Sequence, residues 1–429
     1  MRPTLLYLPH EILGIPVFGF GWALGIIAVI AVVIFAYQSK SRSLWMILEE
    51  QGILLGVAAC IVVFLLPRIE TRLPDASGVE WVVGLPIRGY GVMLMLGVVS
   101  AMGIALNRCK QAGIKNESFF SLATWAVVAG LLGARLFYVI QKWSELDGNT
   151  FAEKVVTAFK VTEGGLVVYG SVIGGLIAIL LWTYKNKQPI LPIADAITPA
   201  FFLGLAFGRI GCLLNGCCYG GLCEQSLPAI HFPSGSPAYM DQLASGKLLG
   251  MLTSDAPNEP GATIDRVLPD SWAAQHDVRK GDRLNGVVEL QVGGATPDAP
   301  YEPPIFGASV VTNRNRWQIN PSDVPQRSLA VHPAQVYAAI SGLVLSGWTF
   351  LLSMNIRRTG AVFGAGLVAY GVLRIIEEII RVDEAGQFGT ALSIAQWISI
   401  GGILAGTALI VSAKDRSHSN EIAPKASQA

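Results

Sequence analysis

Long apolar runs separated by short charged loops dominate the chain. Nine of them approach the ~20 residues needed to cross a bilayer. Their approximate bounds are 17–37, 46–66, 89–107, 119–141, 166–184, 196–215, 334–354, 361–381 and 393–413. The pattern predicts an all-α polytopic membrane protein of about nine transmembrane helices. The first run is too long for a removable signal and has only Arg2 ahead of it, so it is expected to stay as a helix.

The loops alternate in charge. Lys40 and Arg42 follow the first run, Arg108, Lys110 and Lys115 the third, and Lys185 and Lys187 the fifth. Arg357 and Arg358 follow the seventh, and Lys414 and Arg416 the ninth. The positive-inside rule then puts the N-terminus outside and the C-terminus inside. Composition agrees with a membrane protein: 52% of residues are hydrophobic and 14% charged, against about 25% charged in soluble domains. A net charge of +1 gives no reason to expect a nucleic-acid partner. Gly14-Ile-Pro-Val-Phe-Gly-Phe-Gly resembles Gly84-Leu-Pro-Ile-Arg-Gly-Tyr-Gly. Either two helices precede a seven-helix core as a repeat, or two glycine-rich helix starts coincide.

Residues from about 217 to 331 are too polar and too rich in Pro, Gly and Asp to cross a membrane, and the charge phase places them outside. From Ala262 to Val287 the alternation reads as strand, turn, short Ala-rich helix, Gly-Asp turn and strand. Ser271-Trp-Ala-Ala and Lys280-Gly-Asp-Arg-Leu make this run resemble a bacterial PDZ domain. That resemblance implies a small, mainly-β periplasmic insertion. It would bind a peptide by strand addition, with Leu249-Gly250-Met251 near the peptide's carboxylate, or serve only as a spacer.

Charges at bilayer depth are costly and mark function or pairing. Arg135, Arg209 and Arg374 stand on three different runs. Tyr370, Arg374, Glu378 and Arg381 share one helix face, and Arg374 with Glu378 has the spacing of an intrahelical pair. Guanidinium groups suit bidentate phosphate binding, so Arg209 and Arg374 are read as a cationic site for a lipid phosphate. Arg381 is read as snorkelling to the surface. Glycines around them (Gly204, Gly208, Gly211, Gly216, Gly220 and Gly221) leave room for close helix approach and a headgroup.

Six ordered motifs carry a family resemblance. They are Arg88-Gly-Tyr-Gly, Gly133-Ala-Arg-Leu, Glu163-Gly-Gly-Leu-Val-Val-Tyr-Gly-Ser-Val-Ile-Gly-Gly, Gly208-Arg-Ile-Gly-Cys-Leu-Leu-Asn-Gly-Cys-Cys-Tyr-Gly, His332-Pro-Ala-Gln-Val-Tyr and Tyr370-Gly-Val-Leu-Arg-Ile-Ile-Glu-Glu-Ile-Ile-Arg. Over about 84–235 and 328–413 the chain resembles the bacterial prolipoprotein diacylglyceryl transferases. The resemblance implies a multi-pass protein of the bacterial inner membrane, with no cofactor and no metal. It implies transfer of a diacylglyceryl group from phosphatidylglycerol to the lipobox cysteine of a prolipoprotein, with glycerol phosphate leaving. It assigns Arg209 and Arg374 to catalysis, with Tyr169 and Glu378 as further catalytic candidates. Tyr90, Arg135, Asn215, Gly220 and Tyr370 join the two arginines in binding phosphatidylglycerol. The implied organisation is an added helix pair at 1–83, a core at 84–235 and 328–413, the PDZ-like insertion at 236–327 and a disordered tail at 414–429.

Three positions depart from the family pattern. Tyr169 replaces a histidine, Cys212 an asparagine and Cys217 a glutamate. A tyrosine, with an ordinary pKa of about 10, is a poor base at neutral pH. The base then lies elsewhere, with Glu378 and His332 as candidates, or the arginines alone activate the thiol. The substitutions also leave open a catalytically silent relative that binds lipid or peptide. Cys212, Cys217, Cys218 and Cys223 are clustered, without C-x-x-C spacing. A disulfide to Cys223, buried thiols and metal or redox chemistry are the alternatives, and Cys60 and Cys109 read as small buried thiols.

Overall fold

A computed structural model describes residues 3–38, 52–74, 79–143, 146, 150–158, 165, 167–223, 228–253, 261–356, 358–381, 390 and 392–415. Lys40, Arg42, Glu163, Arg357 and the tail from Arg416 lie outside the described residues. Helices coincide with the apolar runs. Five of them, Gly89–Gln111, Asn116–Gln141, Ile190–Asn215, Ala334–Asn355 and Ile394–Ser412, are long and apolar enough to cross a membrane. Trp22–Tyr37, Leu55–Ile69 and Gly170–Lys185 are apolar but shorter. Ala361–Ile380 is set apart by composition, because Arg374, Glu377 and Glu378 crowd its second half. On Asn116–Gln141 the residues Val127, Leu131, Leu132, Leu136 and Ile140 all face outward. That apolar exposure suits lipid and would be costly in water.

The chain divides into two compact units. The first comprises Met1–Met95, Gly208–Tyr337 and Ile380–Asp383. Its N-terminal part holds an antiparallel three-stranded sheet in the order Thr4–Pro9, Glu80–Arg88, Thr71–Pro74. The two look-alike glycine segments do different work there. Leu13 and Gly14 both have positive φ (55° and 76°) between the short strands Glu11–Ile12 and Ile15–Pro16, the geometry of a tight hairpin turn. Gly84 lies mid-strand opposite Pro9, where a Cβ would overlap the Leu8 carbonyl. Their likeness therefore does not extend to backbone role. Pro67 has no N–H and opens a π turn over Ile61–Leu65.

The same unit holds the polar segment that follows the Ile190–Asn215 helix. Five antiparallel strands run in the order Arg316–Ile319, Ile305–Thr312, Arg283–Gly293, Ala262–Val267, Met251–Thr253. The expected Ala-rich helix is Trp272–Gln275, capped by the Ser271 hydroxyl accepting from the Ala274 N–H. Tyr239, Leu243, Leu249, Met251, Ile264, Ala308 and Val310 are buried in one core, so the Pro237–Ala244 helix packs on this sheet. The ends of this segment meet. Pro233 bridges Arg327, the Ser328 N–H donates to the Phe232 carbonyl, and the Ser328 hydroxyl accepts from the Phe232 N–H.

The second unit comprises Leu96–Phe207, Ala338–Ile379 and Glu384–Ala429. Its helix pairs meet through glycine. A Cβ on Gly133 would overlap the Gly170 carbonyl, one on Gly170 the Gly133 carbonyl, and one on Gly174 the Ala129 carbonyl. Gly364 and Gly406 form a second such crossing. These are small-residue contacts of membrane helices, where backbone approach supplies the packing. Cys109 is buried with Ala105, Ile114 and Phe119 as expected, whereas Cys60, in the first unit, is exposed. Lys414–Asp415 pairs with Arg358–Thr359, so order continues into the start of the expected tail. Gly170→Leu is expected to lower stability by about 1–3 kcal/mol through overpacking. A fall in the thermal transition of detergent-solubilised protein, with Gly103→Leu unchanged because open space surrounds that position, is the result to look for.

Candidate functional site

The Ile190–Asn215 helix ends in a closure that assembles three thiols. The Gly216 N–H donates to the Leu213 carbonyl and the Cys217 N–H to the Cys212 carbonyl, with Gly216 at φ +78°. This is a Schellman motif, in which the residue after the glycine folds back on the one five positions earlier. Cys212 and Cys217 hold those two positions. Cys218, also left-handed at φ +57°, turns its thiol onto the same pair. The three sulfurs lie within 4.8 Å of one another and none is in a disulfide. Gln335, fully buried, pins the loop by donating from Nε2 to the Cys217 carbonyl at 2.7 Å. Its Oε1 has no hydrogen-bond partner among the described residues.

Other sequence-predicted residues surround this closure within the first unit. The Tyr90 ring lies against the backbone of Gly211, where a Cβ would sit 3.0 Å from Cδ2. That contact accounts for the glycine two residues after Arg209. Asn215 ends the helix and its side chain hydrogen-bonds the Cys217 thiol. Gly220 and Gly221 are threaded between two strands of backbone. Gly220 donates to the His332 carbonyl and Gly221 to the Ile380 carbonyl, and a Cβ on Gly220 would sit 2.7 Å from that of His332. Gly220 is thus required for close packing. The Cys218 thiol is pushed well below its usual range. Hydrogen bonds from Cys212 and then Cys217 are the main cause, with Arg209 and Arg381 adding positive charge against the opposing effect of burial. Arg381 therefore acts on the loop, a role the snorkelling expectation did not contain. A cavity of about 440 Å³ opens beside Asn215 and Gly216, lined also by Tyr7, Phe232, Ser234 and Tyr301.

In the second unit, Arg374 and Glu378 form the expected i,i+4 pair at 2.6 Å, both side chains nearly buried. Tyr370, one turn earlier, packs on Phe202 with ring centroids 5.9 Å apart. Asp195 accepts from the backbone N–H groups of Gly360 and Phe363 at 2.7 and 2.9 Å, fixing the start of the Ala361–Ile380 helix. Arg135 donates to the carbonyls of Ala158, Thr157 and Gly165 and lies over the Tyr138 ring. Its guanidinium thus ties down the segment ahead of the Val168–Lys185 helix. Tyr169 stands in that helix's first turn, and its side chain is outside the described part.

Helices of spanning length bearing arginines define the class, a multi-span membrane protein. The chain matches the family model for prolipoprotein diacylglyceryl transferase over residues 79–412. A phosphatidylglycerol–prolipoprotein diacylglyceryl transferase of Rhodopirellula baltica is 39% identical over 431 residues, covering 93% of this chain and 87% of that protein. Proteins of the same name from Clostridium tetani (25% identical, covering 75% of this chain and 92% of that protein) and Burkholderia lata (26%, 79% and 95%) are also similar. The chain belongs to the prolipoprotein diacylglyceryl transferase family.

Glu378→Ala is expected to cost about 3–5 kcal/mol by stranding the buried Arg374 charge. The double variant with Arg374→Met is expected to recover much of that loss. Thermal unfolding of the two singles and the double checks it; additive losses would mean the pair is not coupled.

Proposed function

We propose that this chain transfers the diacylglyceryl group of phosphatidylglycerol to the lipobox cysteine thiol of prolipoproteins, forming a thioether and releasing glycerol phosphate. The observation that carries this reading is the helix end where Tyr90, Arg209 and Asn215 gather around a fixed glycine turn. Family membership supports it. The displaced group is a phosphate ester, and guanidinium groups in a dry site stabilise the charge that develops on it. Arg209 takes that role beside the loop, and Arg374 takes it with Glu378 as its fixed counter-ion. Held in that pair, Glu378 positions Arg374 and is poorly placed to accept a proton. Tyr90 and Asn215 flank the headgroup beside Arg209, and Tyr370 is assigned to the same lipid by the family pattern alone. Arg135 and Gly220 act through backbone, by shaping the segments that bear Tyr169 and the thiols. The cavity beside Asn215 suits the lipobox segment of the prolipoprotein.

The chain crosses the bacterial inner membrane nine times in this reading, with N-terminus and insertion periplasmic and C-terminus cytoplasmic. The basic loops at Arg108–Lys115 and Lys185–Lys187 support that phase. The organisation is an added pair at 1–83, a core at 84–235 and 328–413, and a PDZ-like insertion at 236–327. Its adjoining ends at Pro233 and Arg327 support an insertion. The strand Met251–Thr253 at the edge of its sheet supports peptide binding by strand addition.

Purified protein, supplied with phosphatidylglycerol labelled in its acyl chains and a lipobox peptide, is expected to give a labelled thioether. Arg209→Ala should lower the rate by about 10²–10³. Absence of product from folded wild type across several phospholipids and peptides would overturn the reading.

A further inference from the structure

The thiols of Cys212, Cys217 and Cys218 have no role in the chemistry described so far, yet they converge in one place among the described residues of the first unit. Their convergence is built into the backbone by the helix closure, the left-handed Cys218 and the Gln335 clamp. A disulfide uses this arrangement poorly. Adjacent Cys217 and Cys218 cannot pair without strain, and either remaining pair leaves a third thiol over.

A thiophilic cation uses all three. Tetrahedral Zn²⁺ with Zn–S bonds of about 2.3 Å sets its sulfurs about 3.8 Å apart. The trio, within 4.8 Å, lies near that spacing. Three thiolates around a dication leave one net negative charge. Arg209, three residues before Cys212 on the same helix, is placed to supply compensation. Three protein ligands and one open position is the pattern of a catalytic zinc site, whereas structural sites fill all four.

We propose that Cys212, Cys217 and Cys218 form a zinc site whose fourth position takes the cysteine thiol of the prolipoprotein substrate. This rests on the transferase reading above and supplies what that reading lacks, a means of making a thiolate with Tyr169 in place of a histidine. Coordination deprotonates a thiol outright, and the released proton passes to water. The metal-held sulfur attacks the glyceryl carbon that carries the phosphate oxygen. The C–S bond forms, the C–O bond breaks, and the electron pair stays on that oxygen as glycerol phosphate leaves. The phosphodiester monoanion and thiolate become a neutral thioether and a phosphate monoester dianion, so charge balances and the metal is not oxidised or reduced. The thioether, a weak ligand, then gives up the position.

The test uses the full-length protein in detergent. Zinc is measured by mass spectrometry, and the stripped protein is then loaded with Co²⁺ as a spectroscopic probe. About one zinc per chain is expected, with a cobalt–thiolate charge-transfer band of three-sulfur intensity. Adding a lipobox peptide should raise that band by about one third, and the same peptide with serine for cysteine should not. Cys212→Ser, Cys217→Ser and Cys218→Ser should each lower zinc occupancy at least about tenfold, and Cys60→Ser should leave it unchanged. A folded wild type that transfers lipid without zinc, or that carries a disulfide within the trio, overturns the metal site while the transferase reading stands. A three-sulfur band that ignores the cysteine peptide overturns substrate coordination. Zinc and a peptide response without any lipid transfer would instead sink the transferase reading and keep the site.

Discussion

A guanidinium group in an apolar medium must be given partners, and that requirement governs where this chain places its arginines. Leaving one unpaired in the bilayer costs several kcal/mol, more than any single helix contact returns. Each arginine is satisfied differently. Arg374 has a carboxylate one turn away on its own helix. Arg135 has the backbone carbonyls of Thr157 and Ala158, at the end of a short helix, and of Gly165 beyond it. Arg209 faces thiols and a tyrosine ring. The first two solutions are complete within the protein. The third places its positive charge beside thiols and a phenol at the end of the Ile190–Asn215 helix.

Glycine is the second constraint. At Gly133, Gly170, Gly364 and Gly406 a side chain would collide with the carbonyl of the facing helix. At Gly211 and Gly220 it would collide with Tyr90 and His332. Close approach thus explains Gly133, Gly211 and Gly220, whereas Gly208, beside Arg209, has open space around it.

Much of this was legible in the chain before any coordinates. The apolar runs marked the helices because lipid demands unbroken hydrophobicity, and Arg374–Glu378 followed from four-residue spacing. Strand, helix and strand between Ala262 and Val287 followed from alternation, the Ala-rich stretch and the Gly-Asp turn. The partners of Arg135 were not legible, because carbonyl oxygens of a loop leave no residue signature. Neither was Gln335, whose role depends on the chain returning from a hundred residues further on. The meeting of Cys212 with Cys217 was written in the sequence, since a glycine at 216 closing a helix brings these two positions together. The irregular cysteine spacing hid it. The likeness of the Gly14 and Gly84 segments misled in the opposite way: similar letters serve a hairpin turn in one case and a strand crossing in the other.

The β-rich segment meets the thiol loop at Tyr219, whose hydroxyl donates to Asp241, and at Gly216. Gly216, which closes the helix, accepts a hydrogen bond from the Ala238 N–H, and its Cα packs toward Ser236 and Phe232. The unit and the thiol loop thus share a fulcrum. A load applied to the sheet would therefore reach the turn that sets the sulfur positions, so the stiffness of the sheet is also the stiffness of that turn.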